Sequence, residues 1–409
     1  MAKCADGLKG RDPEGNPRLT QSTISCLWNQ PKAAISYRSA VSLHSHTNQS
    51  KESLGFIVEF AERWSVLKWA LERQYKRSPL PVDLKQAYWT PPLTPQLAFD
   101  LEKGQIEDNL GLTGLVAITD HDTIDAPIIL RKLEESSQVP YSLEWAVPYG
   151  DAIFHLGVHN LPSSRVHDIV GNLEAYTQNP STRVLSELIA ALDEDPEVLV
   201  IFNHPLWDLC SLGKRKFLPL VDQFLQENVR FLHAFELNAT RSWKENERVM
   251  QLAERWQRLL ISGGDRHGCE PSGSLNLSHA STFVEFIQEI RQDQRSHVLF
   301  MPQYANSLCV RTAQTLLDVI REYPEYGLGA QYWDDRVFHP DFIANIDRPV
   351  SSYWKGPPKF LKRILNTVRL LEKPGVQRVL TKMLPGRTDL ELSPEIMQVP
   401  QEVVYEATL

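Results

Sequence analysis

Cysteine is scarce in this chain. Cys4, Cys26, Cys210, Cys269 and Cys309 are scattered over 409 residues, and no two of them form a CxxC pair. An odd, dispersed set argues against a disulfide framework and a zinc ribbon. Long apolar runs are also missing: none approaches the roughly 20 residues that a membrane-spanning helix needs. Residues 1–7 lack the apolar core of a secretory signal, so a reducing cytoplasm is the expected compartment. There is no excess of positive charge. The net charge is -8, which speaks against a general nucleic-acid binder without excluding a local basic pocket. No internal repeat or low-complexity tract occurs.

What remains is ordinary globular material, 42% hydrophobic and 23% charged. A chain of this length buries a sizeable core without staples, so a metal here is expected to serve chemistry rather than folding. Residues 1–37 are polar and read as a poorly ordered arm. Residues 38–295 alternate short apolar strands with helical patterns. Strands are expected at Ala40–Leu43, Leu115–Thr119, Ile153–Val158, Val198–Phe202, Phe231–Leu237 and Leu259–Ser262. Helices are expected at 124–135, 182–193 and 244–258, and another at 53–76, where Phe56, Phe60, Trp64, Leu67 and Leu71 recur at helical spacing behind Ser53 as N-cap. A stretch at about 51–110 reads as an insertion, broken by Pro79, Pro81, Pro91, Pro92 and Pro95. Residues 296–409 form a C-terminal extension, helical at 310–322 and irregular at 323–358. A basic helix follows at 359–373, better read as packing its apolar stripe on the domain than as binding a membrane. The alternation predicts an α/β architecture, and periodicity alone does not separate a barrel from an open sheet.

Polar clusters follow the strands. His44-Ser45-His46 ends the first; alternate residues of an extended segment point the same way, so two imidazoles can reach one ion. Alone this is weak, since histidines at strand ends have many uses. Asp120-His121-Asp122 ends the second, where Asp122 or Thr123 can equally cap the following helix. His204-Pro205 ends a third, a place where proline also simply stops pairing. Asp265-Arg266-His267-Gly268 ends a fourth, and a glycine-rich turn does not by itself require the flanking acid and histidine. Together the clusters supply carboxylates to bridge cations and neutral imidazoles to fill the remaining positions, as hydrolytic multi-metal sites require.

In motif order these residues resemble the PHP (polymerase and histidinol phosphatase) superfamily of metal-dependent phosphoesterases, over about residues 40–280. The carrying motifs are Leu43-His44-Ser45-His46-Thr47; Ala117 to Thr123; Glu144 ahead of His155-Leu156-Gly157; His204-Pro205; Glu236; and Gly263-Gly264-Asp265-Arg266-His267-Gly268. The resemblance implies a distorted (β/α)7-type barrel, here with a helical insertion after the first strand and an α-rich extension. It implies two or three divalent metal ions, zinc, manganese or iron. His44, His46, Glu144 and Asp265 would hold one, Glu144 with His155 and His204 a second, and His121 with His267 a third. Asp120, Asp122, Glu52 and Glu236 are further site candidates.

Two departures stand out. Where the family commonly has a ligating aspartate, this chain has Ser50-Lys51-Glu52. Either Glu52 serves with a one-residue shift, or only two metals bind. Arg266 replaces a small residue and would either grip a substrate phosphate or form a structural ion pair. The expected activity is hydrolysis of a phosphate ester by metal-activated water, with a small phosphorylated substrate. Arg266 would bind the phosphate and His204 or His267 would assist the leaving oxygen. Alternatives are a catalytically impaired binding or regulatory module, favoured by Lys51, and a nuclease or DNA-repair phosphodiesterase. Trp64, Trp69 and Trp89 either line an entrance or pack in the core. Oligomeric state is not legible.

Overall fold

The computed structural model describes residues 21–54, 86–327, 329–341 and 346–352. All but the first two residues of the helix expected at 53–76, with Trp64 and Trp69, and the helices expected beyond 358 lie outside these residues.

The strands lie in three sheets. The first is ordered β1-β12-β11-β2-β5, with β1 Gln21–Cys26, β2 Ser39–Ser42, β5 Thr113–Val116, β11 Ser274–Ser278 and β12 Arg295–Phe300. The second is ordered β10-β9-β8-β7-β6, with β6 Leu143–Tyr149, β7 Ala152–His159, β8 Leu199–Asn203, β9 Ala234–Asn238 and β10 Leu259–Gly263. The third, smaller sheet is ordered β14-β13-β4-β3, with β3 Glu52–Ser53, β4 Tyr88–Trp89, β13 Val337–Asp341 and β14 Ile346–Pro349. The architecture is mixed α/β as expected, but no sheet is closed into a barrel, and β7 and β11 run antiparallel to their neighbours.

The two large sheets meet at both edges. At one seam, backbone bonds join Asp122 N to Glu144 O at 2.9 Å and Glu144 N to Asp120 O at 3.2 Å. At the other, Leu260 N donates to Ser22 Oγ and Ser262 N donates to Asn276 Oδ1, both at 2.9 Å.

Alternation along the strands explains what lies between the sheets. In β8, Val200 and Phe202 join the outer core, while Leu199 and Ile201 join an inner cluster with Val41, Ala234, Leu259 and Ile261. The helix Phe283–Arg291 sends Phe286, Ile287 and Ile290 into the same cluster. The outer faces of β6–β9 pack against helices that include Val166–Gln178, Thr182–Asp193, Lys214–Asn228 and Trp243–Trp256. Because successive side chains alternate, Asn203, Glu236 and Gly263 share the inner face with Ile201, Ala234 and Ile261. By the same rule Leu143, Trp145 and Val147 of β6, and Phe154, Leu156 and Val158 of β7, face outward. Glu144, His155, Gly157 and His159 therefore face inward.

The structure departs from two expected boundaries. Strand β1 falls within the segment read as an arm; its sequence, QSTISC, is too polar to register as a strand, and its pairing with β12 is what makes it one. Strand β12 crosses the boundary placed at residue 295 and lies inside the first sheet. Ser53, expected to cap a helix, is paired with Tyr88 in the small sheet. Among the described residues no helix is long and apolar enough to cross a membrane.

Candidate metal centre

The inward-facing ends of these strands bring together most of the residues singled out above. His44 Nε2 and His46 Nε2 are 3.0 Å apart. Glu144 Oε2 lies 3.1 and 3.3 Å from them, and Asp265 Oδ1 lies 3.7 and 3.6 Å from them. Four ligands held about 2.0–2.1 Å from one ion in a tetrahedron are separated by about 3.3–3.4 Å. The His44, His46 and Glu144 atoms thus have the spacing of donors around one ion, with Asp265 beside both histidines. All four side chains are buried.

Glu144 is the hub. Its Oε2 also lies 3.3 Å from His121 Nδ1, and its Oε1 lies 3.3 Å from His155 Nδ1 and 3.0 Å from His204 Nε2. Asn203 Nδ2 donates to the same Oε1 at 2.9 Å. Three groups of donors can hold an ion: His44, His46 and Glu144; His121, Glu144 and His155; and His46, Glu52, His121 and His267. In the last group, Glu52 Oε2 is 3.3 Å from His121 Nε2 and 3.2 Å from His267 Nε2.

Glu52 is the residue that occupies the place where Lys51 was the departure. It is buried, accepts from Ser50 Oγ at 2.6 Å, and faces three histidines. Lys51 turns outward, its Nζ 2.9 Å from Asp347 Oδ2.

The remaining acids support the site from behind. Glu236 Oε1 is 2.5 Å from His44 Nδ1, and its Oε2 accepts from the His204 backbone N–H at 2.8 Å. A carboxylate on the far nitrogen of a ligating histidine fixes ring orientation and raises basicity. Glu236 meets His44 on the ring nitrogen opposite the one that faces Glu144. Asp265 accepts from Asn238 Nδ2 at 3.1 Å and Thr240 Oγ1 at 2.8 Å.

Three candidates lie outside the donor groups. Asp120 accepts from the Thr47 backbone N–H and hydroxyl, holding the loop after His46. Asp122 accepts from Ala146 N at 2.8 Å and so ties the seam between the sheets; the helix that follows begins at Asp125 with no side-chain cap from it. Arg266 is buried with all three guanidinium nitrogens turned inward. Nε donates to Glu102 Oε1 at 2.8 Å, Nη1 to Gly268 O at 2.8 Å and Nη2 to His46 O at 3.1 Å. It braces the two ligand-bearing loops and is not placed to grip a substrate.

Arg241 is the cation that sequence reasoning missed. Its guanidinium carbon lies 3.5 Å over the Trp207 ring, Nη2 is 4.0 Å from Asp265 Oδ2, and its buried Nε has no hydrogen-bond partner. The Trp207 ring in turn packs on His204, centroids 4.9 Å apart. The available signal was position: Arg241 lies in the loop after β9, as His204 lies in the loop after β8. Trp89 is buried in the small sheet's core, 5.9 Å from the His267 ring.

Charge coupling in the centre is strong. Burial works against charge on His121, yet Glu52 and Glu144 raise its pKa to about 10. Burial likewise opposes charge on His44, which Glu144, Glu236 and Asp265 still lift well above its usual value. Burial opposes ionisation of Glu144, Glu52 and Asp265 too, but the facing histidines hold all three well below the usual carboxylate range. His155 goes the other way: burial takes it down to about 4, so it stands neutral, as a ligand must. Backbone strain collects here as well, with φ of +27° at His204 and +47° at Asp265.

No protein-family model matches the chain, and no curated protein matches it. Solved structures do. An amidohydrolase from Chromobacterium violaceum, with bound sulfate and no metal, is 12% identical, with a TM-score of 0.35 over 56% of this chain and 87% of its own. A protein described as a metal-dependent phosphoesterase, from Bifidobacterium adolescentis, is 17% identical, with a TM-score of 0.30 over 49% of this chain and 91% of its own. PsfC from Pseudomonas syringae is 18% identical, with a TM-score of 0.36 over 53% of this chain and 86% of its own. At such scores and identities these likenesses say nothing of what this chain acts on.

Proposed function

We propose that the chain is a divalent-metal-dependent hydrolase of phosphate esters with a PHP-type centre. In this reading the two bridged sheets form the expected distorted barrel. The observation that carries the reading is the set His44, His46 and Glu144, donor atoms 3.0–3.3 Å apart from two distant strands, with Asp265 Oδ1 within 3.7 Å of both histidines. The chemistry of the donors fits two or three ions, with Glu144 shared between neighbouring positions and Glu52, His121 and His267 holding the outermost. Such ions supply a water that ionises near neutral pH and charge to offset that on phosphoryl oxygens.

The chain's own residues do the rest. Arg241 offers a guanidinium whose buried Nε has no hydrogen-bond partner, backed by Trp207, to an anionic group entering beside Asp265. It takes the role that the sequence assigned to Arg266. His204 directs Nε2 to Glu144, and His267 directs both ring nitrogens to carboxylates. Both therefore hold metal rather than donate a proton to the leaving oxygen. Glu236 and Asn203 orient His44 and Glu144.

The test is metal analysis of the purified protein together with a phosphoester panel, on wild type and on His44→Ala with Asp265→Ala. Bound divalent metal and phosphate release, both lost in the double variant, are the expected result. A wild-type protein that binds no divalent ion would overturn the reading.

A further inference from the structure

The small sheet joins parts of the chain that are far apart in sequence. Strand β3 carries Glu52 and pairs with β4, Glu52 opposite Trp89. Strand β4 pairs with β13, Trp89 opposite Val337, and β13 pairs with β14. One apolar cluster, containing Leu54, Trp89, Val319, Val337 and Val350, lies beneath these strands. Over them sits a polar clamp. Asp347 of β14 accepts from Lys51 Nζ at 2.9 Å and from Tyr88 OH at 2.8 Å, and Tyr88 stacks on Phe338. Glu52 differs in this from the other donors, which sit on or directly after strands of the two large sheets. Its place beside His121 and His267 comes from a two-residue strand, too short to hold a position by itself.

We propose that strands β13 and β14 complete the metal centre by positioning Glu52, so that the outermost ion is held only when the C-terminal strands are docked. The proposal rests on the metal-centre reading above and adds to it a control on one ion position. Lys51 then has a use. It is the outward half of a Lys51–Glu52 pair in which one residue faces the clamp and the next faces the histidines. Val337, Tyr88, Lys51 and Asp347 act as positioning residues; none of them is within the donor groups.

The experiment uses the full chain and manganese alone as probe, with ion number and affinity read by calorimetry and elemental analysis. Three variants are compared: Glu52→Gln, Asp347→Ala and Val337→Ser. Glu52→Gln should lose one ion. Asp347→Ala should weaken that ion about two- to five-fold, the size an exposed ion pair carries, and Val337→Ser should weaken it further, the other ions binding as in wild type. If Glu52→Gln loses an ion while Asp347→Ala and Val337→Ser bind all ions as wild type does, the positioning role is overturned and the metal centre stands. If Glu52→Gln binds as many ions as wild type, Glu52 is no ligand and both fail at this position. Asp347→Ala lies on the surface and keeps the test readable should Val337→Ser not fold.

Discussion

Gly263 and Glu236 compete for one space, and glycine is the residue that lets Glu236 have it. A Cβ on residue 263 would lie 1.5 Å from Glu236 Oε1, the oxygen that meets His44 Nδ1. Gly263→Ala must push the carboxylate aside and release His44. The expected outcome is a loss of stability of about 1–3 kcal/mol from overpacking, with weaker binding of the ion at His44. Metal titration beside chemical denaturation checks it; unchanged affinity would refute the link.

Arg241→Ala and Arg266→Ala should separate binding from folding. Arg241 faces the donors with its Nε unpaired, so its loss should raise KM for a phosphorylated substrate by about ten- to a hundred-fold, as removing a charged hydrogen bond of roughly 1.5–3 kcal/mol does. Melting should change little. Arg266 is a buried partner of Glu102, and removing it leaves that carboxylate in the interior without a countercharge, held only by Ser42 Oγ and Ser272 N, at a cost of about 3–5 kcal/mol. The two arginines exchanging these phenotypes would contradict their assigned places.

The pH dependence has a defined sign. His44 and His121 have folded-state pKa values raised above the 6.5 of a free imidazole, to about 10 for His121. Their contribution to stability is complete below about pH 6.5 and is lost as pH rises through the folded values. Glu52, Glu144 and Asp265 contribute above the ordinary carboxylate range and lose that contribution only as pH falls through their depressed values. Metal-free protein should therefore melt at lower temperature as pH is raised from about 7 to 10. Metal binding displaces the histidine protons, so affinity should climb over the same window. Melting curves with and without chelator test this, and a metal-free protein that gains stability toward pH 10 would be evidence against it.

Ile201→Ala opens a cavity in the inner cluster beneath Asn203. A loss of about 2–5 kcal/mol is expected, measurable by denaturant titration, with ion number unchanged in the folded fraction.

His44, His46, His204 and Asp265 were legible as candidates because each sits just beyond the end of an apolar strand; Glu144 and His155 lie within β6 and β7 and were singled out only by the motif resemblance. What escaped detection depended on partners distant in sequence. Strand β1 is polar and exists through its pairing with β12. The inward turn of Arg266 depends on Glu102, a residue of the helix Pro95–Leu110 that lay within the expected insertion. Glu52 was named as a candidate by its place beside Lys51, but the pairing that holds β3 runs through β4 to strands near residue 340, and no local pattern reports that.

The pairing of Gln21–Cys26 with Arg295–Phe300 also sets a clock. At ribosomal speeds of about 5–20 residues per second, the first sheet waits on the order of 15 to 60 seconds between synthesis of its edge strand and arrival of that strand's partner. During that interval β1 is an unpaired strand on a growing chain, the stage at which a chaperone has most to protect.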